Sequence, residues 1–456
     1  MEIALVRAAQ LRPELVNPVE EAVLRTALSV ARLYKVRHEG RDVGVGALVA
    51  PFREDVARRL GPVLLGNRPP AREQLVPIIR DLRDETLRTR DEVIRRLAGR
   101  VPPEAVHREI RHKALVLVSG GGGGTGYVYL GVMDALDEVG VKPALLVGTS
   151  IGGILSLFRS RMPRFDQTEM QNIVRGLSWR KLFRVISMET RYGLPGALRL
   201  LLRAGLGRWF DAHPERGTGI RLRDLPIPVI MAVSGVRKGM LPHPVEFYER
   251  LVNLSPAMLL RPAQTTRQLQ AAMQSIAEFV THPEIMVKLH LGADPDTAEF
   301  DALDAAGFSC ALPGIIHYDV LRDDPRMHEL LGDLFAQKKL GALIDGGLVD
   351  NLPARAAWRA VHKGRIGTRN AFILALNAFA QRITTPLWLP LQRLAETNVA
   401  GNRPYAHLLI DFRKTLSPLE LVPSVELTVR AIEMGRAQIT RELPFLMRML
   451  APLPVL

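Results

Sequence analysis

Apolar residues in this chain fall into two patterns, short continuous runs and helically spaced stripes. Lys113–Val118 (KALVLV) is a continuous Leu/Val run bounded by a glycine tract, which predicts a strand buried on both faces. A helix is predicted over Tyr127–Val139, then a second buried strand over Ala144–Val147. Strand, helix, strand at this spacing is a βαβ unit and implies a parallel sheet with helices on its faces. Further strands are predicted at Val229–Val233, Ala342–Ile344 and Phe372–Leu376, with mainly helical insertions between them. Upstream, Leu75, Ile79, Leu82, Thr86, Val93 and Leu97 recur at helical spacing among charged residues. They predict a surface helix over Arg72–Leu97 with one buried stripe, ended by Gly99 and Pro102-Pro103. Leu416–Leu450 predicts one or two amphipathic helices interrupted by Pro423 and Pro444. The expected organisation is a helical extension over 1–111, an α/β domain over 112–380 and a helical region over 381–456.

Composition refines this picture. At 456 residues, 47% of them apolar, the chain can bury a large core. No stretch reaches the ~18 to 20 uninterrupted apolar residues of a membrane span. The first residues carry an early acid and no signal-peptide core, which predicts a cytoplasmic protein. The single cysteine, Cys310, excludes an internal disulfide and fits a reducing compartment. Lys plus Arg number 61 against 47 Asp plus Glu, a net charge of +14 that favours polyanions or an anionic membrane face. The basic residues are dispersed and aromatics are only 5%, so a nucleic-acid surface is not expected.

Three segments carry chemistry. Gly148-Thr149-Ser150-Ile151-Gly152 is a G-x-S-x-G pattern between a predicted strand and an apolar helix. That is the setting of a nucleophile elbow, with Ser150 near a helix N-terminus that favours developing negative charge. Gly120–Gly124, followed by Thr125 and Gly126, can turn successive N–H groups into one concavity for a phosphate or an oxyanion. Gly121, Gly123 and Gly126 also fit a dinucleotide fingerprint, but the next strand ends in the serine motif rather than an acid. A P-loop would need a Gly-Lys-Ser/Thr that is absent. The third segment, Asp345-Gly346-Gly347, ends a predicted strand, where α/β folds place their sites; an Asx-type turn is the alternative reading.

In this order the three segments resemble the patatin-like phospholipase family, over about Lys113 to Asn377. Gly126–Leu136 is similar to the family's helix after the glycine loop, Cys310–Gly314 to its Pro-Gly segment and Asp345–Pro353 (DGGLVDNLP) to its aspartate motif. The resemblance implies a three-layer α/β fold with a mainly parallel sheet, and a Ser-Asp dyad of Ser150 and Asp345. It implies an oxyanion hole at Gly121, Gly122, Gly123 and Gly124, flanked by Gly126, Gly148, Gly152, Gly346 and Gly347. The implied activity is hydrolysis of phospholipid, lysophospholipid or other acyl esters, with no metal and no organic cofactor. One departure is Thr125, where the family usually has Arg or Lys; another is an insertion over about Leu321–Lys339. Thr125 keeps open a catalytically weak protein that binds lipid or a partner.

A Ser-His-Asp triad would call on His362 or His407, neither in a catalytic-looking loop. His107 and His112 lack the spacing of a zinc-protease helix. Gly193–Phe210, Leu-rich with Arg199 and Arg203, reads as a helix, either packed on the sheet or lying in a membrane interface. Oligomeric state is not legible.

Overall fold

The computed structural model describes residues 1–185, 190–213, 218–241, 243–252, 279, 282–379 and 389–455. It divides into two compact units, each assembled from separate segments. One comprises Met1–Leu115, Arg359–Phe372 and Thr440–Leu456, the other Val116–Trp358 and Ile373–Ile439.

The first unit is mainly helical: α1 (Glu2–Leu11), α2 (Pro18–Arg32), α3 (Gly46–Leu64), α4 (Arg72–Leu97), α5 (Pro103–Arg111) and a C-terminal helix, Leu443–Leu450. In α4, Leu75, Ile79, Leu82, Thr86, Val93 and Leu97 are all buried, as the spacing predicts. Thr86 is tolerated there because its hydroxyl donates to the Leu82 carbonyl at 2.6 Å. α2 starts on a reciprocal cap between Asn17 and Glu20, and Arg72 holds the Glu20 carboxylate at 2.7 and 2.8 Å. The buried Glu109 carboxylate is satisfied by Thr368, the Arg369 N–H and Arg32.

The second unit is built on a seven-stranded, mainly parallel sheet flanked by helices. Its strands are β1 (Ala114–Ser119), β2 (Pro143–Thr149), β3 (Val229–Arg237), β4 (Met286–Leu291), β5 (Leu340–Asp345), β6 (Ala371–Asn377) and β7 (Leu408–Asp411). The order is β4-β3-β2-β1-β6-β7, with β5 also paired to β3. Every predicted strand is present. α6 (Val128–Glu138) follows β1 after a short 3₁₀ turn, Gly123–Tyr127, and α7 (Ile151–Arg161) follows Ser150.

β3 organises the site. Its residues 229–232 pair with β2 in parallel, from Leu146↔Val229 to Thr149↔Ala232. On into 233–237 its partner is β5, antiparallel, ending at Asp345↔Val233. Because β2 runs with β3 and β5 against it, the carboxyl ends of β2 and β5 meet opposite adjacent residues, Ala232 and Val233.

Gly193–Phe210 differs from the single helix expected. It forms a strand, Gly196–Leu200, and then a helix, Leu202–Phe210. The strand pairs with Gly314–His317 and with Phe183–Arg184, so tertiary pairing overrides the local helical spacing. Arg199 and Arg203 therefore lie on different elements. Arg203 is tied to the fully buried Asp301 at 2.5 Å and to Asp211. At the C-terminus, Val425–Ile439 and Leu443–Leu450 are helical, but Leu416–Pro423 is irregular.

Candidate active site

Ser150 occupies the turn between β2 and α7 with φ +53° and ψ −125°, a conformation that costs a non-glycine residue energy. The turn survives because its surroundings fix it. Ser150 N–H donates to the Ser309 hydroxyl at 2.8 Å, and that hydroxyl donates to the Ala232 carbonyl at 2.7 Å. Gly148 and Gly152 are required by close approach. A Cβ on Gly152 would lie 2.3 Å from the Ser119 carbonyl oxygen, and one on Gly148 would lie 2.6 Å from Gly153 backbone atoms. Gly126 packs against Ile151, where a Cβ would meet its side chain at 2.5 Å.

Asp345 ends β5 and is buried at 8% exposure. Its backbone is held by the bond from its N–H to the Ala311 carbonyl, 2.8 Å, and by Ser234 donating to its carbonyl, 2.7 Å. Burial pushes the carboxyl up to about 7, against the Gly347 N–H, which donates to it at 2.6 Å, and the Ser150 side chain, both of which pull it down. Gly346 is pressed on the Ala232 carbonyl, 2.1 Å from the position of a Cβ.

The glycine tract divides by use. Gly121 N–H donates to the Asn351 carbonyl (3.2 Å) and Gly124 N–H to the Pro418 carbonyl (3.0 Å). Gly122 and Gly123 line the same cavity as Ser150 and Asp345, and their N–H groups donate to nothing among the described residues. Both have positive φ, +143° and +58°. The Thr125 hydroxyl donates to the Gly122 carbonyl at 2.9 Å, so the side chain in the place of the family's cation tightens the loop from within. The segment Ser417–Leu421 closes over the loop from outside. A Cβ on Gly123 would sit 2.4 Å from the Pro418 carbonyl oxygen, and Tyr127 Oη donates to the Leu421 carbonyl at 2.9 Å.

The cavity is otherwise walled by apolar side chains, among them Ile154, Phe183, Leu200, Leu312, Leu348 and Phe379. Among the described residues no Lys, Arg or His lines it. Cys310 also lines it, and burial pushes its thiol well up. His362 stacks on Tyr34, and His407 Nδ1 accepts from the Ile373 N–H at 2.8 Å; neither lines the cavity. His107 and His112 border a separate surface hollow in the first unit with Arg108 and Arg111. Among the described residues no group of His, Cys, Asp or Glu has the makings of a metal site. Residues not singled out from sequence include Ser309, Asn351 and Pro418. Ser309 adjoins the Pro-Gly segment and Asn351 lies in the aspartate motif, whereas nothing in the sequence marks Pro418.

A serine at a strained strand–helix turn, beside a buried carboxylate and a glycine loop on a mainly parallel sheet, is the arrangement of an α/β acyl hydrolase. A family model described as patatin-like phospholipase matches residues 117–358, more than half of the chain. The chain belongs to this family of lipid acyl hydrolases. No curated protein matches the chain.

Proposed function

We propose that this protein hydrolyses carboxylic esters of phospholipids or lysophospholipids through an acyl-enzyme on Ser150, with Asp345 as the base. The observation that supports this reading is the head-on meeting of β2 and β5 on β3, the first followed directly by Ser150 and the second ending in the buried Asp345. Asp345 accepts the Ser150 proton as Oγ bonds to the ester carbon. The carbonyl oxygen becomes an oxyanion facing the Gly122 and Gly123 N–H groups, each well-placed donor contributing about 3 to 4 kcal/mol to the barrier reduction. As the tetrahedral intermediate collapses, Asp345 returns the proton to the departing alcohol. A water, deprotonated by the same carboxylate, then bonds to the acyl carbon; the Ser150 Oγ–carbon bond breaks, Asp345 returns the proton to Oγ, and the fatty acid is released. The apolar wall suits an acyl chain.

The test is labelling by a fluorophosphonate together with hydrolysis of a p-nitrophenyl ester. The wild type takes the label on Ser150, read by peptide mass spectrometry. Ser150→Ala loses the label and at least about 10³-fold in kcat. Equal hydrolysis by both proteins would exclude the dyad and favour a lipid- or partner-binding role.

Contact with an anionic lipid surface belongs to the same reading. Trp179, 44% exposed, leans on the cavity-lining Phe183 with ring centroids 4.6 Å apart. Exposed Val185, Arg180, Lys181 and Arg184 surround it, an apolar anchor with basic neighbours. Among the described residues no helix is long and apolar enough to cross a membrane. Co-sedimentation with phosphatidylglycerol vesicles is expected to weaken several-fold in Trp179→Ala/Lys181→Gln, with binding to phosphatidylcholine vesicles weak throughout. Unchanged sedimentation would remove this surface from the reading.

A further inference from the structure

On the Ser150–Asp345 reading, an ester carbon bonded to Ser150 Oγ carries three other groups, and two of them already have places. The carbonyl oxygen faces the Gly122 and Gly123 N–H groups, and the alcohol oxygen must reach Asp345 to regain a proton. The acyl chain takes the direction left over. Phe379 and Leu421 lie on the carbonyl-oxygen side: a Cβ on Gly122 would sit 2.9 Å from the Phe379 Cβ, and one on Gly123 3.2 Å from Leu421 Cδ2. Leu348 directly follows Gly347, whose N–H donates to Asp345, so it lies on the alcohol side.

A third direction runs along α7. Ile154 lines the cavity one helical turn on from Ser150. A further turn on, Phe158 packs edge-to-face on Phe210, with ring centroids 5.1 Å apart. Phe210 ends the helix Leu202–Phe210, and the strand that leads into this helix ends in Leu200, which lines the cavity too. Leu200 is paired across the small sheet with Phe183, another lining residue. Beside this pair the two segments are drawn together by the Leu201 N–H, which donates to the Leu182 carbonyl at 2.7 Å. The third strand, Gly314–His317, adds Ile315 and Ile316 to the wall. Every strand of the small sheet thus reaches the cavity, and each does so with apolar residues. Phe183 is only 9% exposed, and the ring packed on it is that of Trp179, which is 44% exposed and does not line the cavity. Phe183 therefore stands between the cavity and a tryptophan at the surface.

We propose that Ile154, Leu200 and Phe183 form the track for the acyl chain, and that Phe183 is the stop that limits its length. This rests on the Ser150–Asp345 dyad and adds what the dyad leaves open, namely where the chain lies and which residues select it. The small sheet is then the part of the fold that sets specificity, while the large sheet supplies the chemistry.

The first test is made on the unaltered protein, with a fluorophosphonate whose octyl chain ends in a diazirine. Ser150 Oγ bonds to phosphorus as fluoride leaves, and irradiation then joins the chain tip to its neighbour. Peptide mass spectrometry is expected to find the cross-link at Phe183, Leu200 or Trp179. A cross-link at Phe379, Leu421 or Leu348 instead overturns the proposal. The second test compares wild type, Phe183→Ala, Leu200→Trp and Ser150→Ala by the ratio of kcat/KM for p-nitrophenyl palmitate to that for the butanoate. A ratio taken within one protein does not depend on how much of it is folded. Phe183→Ala removes the stop and should raise the ratio about tenfold or more, whereas Leu200→Trp fills the track and should lower it about tenfold or more. Ratios within about threefold of wild type in both variants overturn the proposal, as do shifts in the reverse directions. Equal hydrolysis of both esters by wild type and Ser150→Ala would remove the dyad and the track together; Ser150-dependent hydrolysis with unmoved ratios would remove the track alone.

Discussion

Asp345→Asn is expected to lower kcat for ester hydrolysis by about 10²- to 10⁴-fold, because the Ser150 hydroxyl then has no base to take its proton. Among the described residues no histidine borders the cavity to substitute for it. The amide is close to isosteric and can still accept from the Gly347 N–H, so the turn that places it should persist. The wild-type pH profile follows from the same group. The active form is the carboxylate, and burial moves its ionisation up to about 7. Wild-type kcat/KM should therefore rise with pH through about 7 and level off above it, while Asp345→Asn loses that ionisation from its residual rate. A profile already flat at pH 5 would contradict a base in this environment.

Stability should move the opposite way. The folded state holds the Asp345 proton at pH values where the unfolded chain has released it, so ionisation above about 7 works against folding. At pH 8 Asp345→Asn should melt no lower than the wild type. A lower melting temperature would show that the charge is compensated more fully than its burial implies.

Gly122→Ala should cost about 10²- to 10³-fold in kcat with Ser150 and Asp345 both intact, the scale of losing one oxyanion donor. At φ +143° this position is open only to glycine. An added methyl would meet Thr125 Oγ1 at 2.4 Å and the Phe379 Cβ at 2.9 Å. Relieving those contacts rotates the peptide or displaces the loop, and either turns the Gly122 N–H away from the cavity. The loop cannot absorb the change nearby, because Gly124 is fastened to the Pro418 carbonyl and a Cβ on Gly123 would also strike that carbonyl. Steady-state kinetics with a p-nitrophenyl ester and labelling by a fluorophosphonate would measure the effect. Wild-type kcat in Gly122→Ala would exclude this N–H from the reaction.

Much of the second unit was legible because its signals are local. KALVLV is continuous and β-branched because its strand is buried on both faces. The G-x-S-x-G spacing reports close approaches that only glycine permits: Gly148 against the nearby Gly153 backbone, and Gly152 against the Ser119 carbonyl one βα unit earlier. The α4 stripe was legible for the same reason: a helix buries whatever its own period brings to one face. Gly193–Phe210 was misread as one helix because the pairing of its first half with Gly314–His317 comes from a segment over 100 residues away. The clamp at Pro418 escaped notice because a backbone carbonyl can be offered by any residue type. Asn351, although inside the aspartate motif, meets the loop through its backbone carbonyl, which its residue type does not announce.

Sequence by itself determined the kind of protein, the sheet's strands and the identity of the candidate nucleophile, base and glycine loop, since each is written in residue types at short spacing. Tertiary structure alone decided how these parts meet. β3 accepts β2 along one half and β5, reversed, along the next, so Ser150 and a carboxylate nearly 200 positions later become neighbours in a buried cavity. That burial raises the carboxyl toward neutrality, and the packing of Asn351 and Pro418 against the loop selects which donors remain free. These are consequences of long-range pairing and desolvation, which no local pattern of residues encodes.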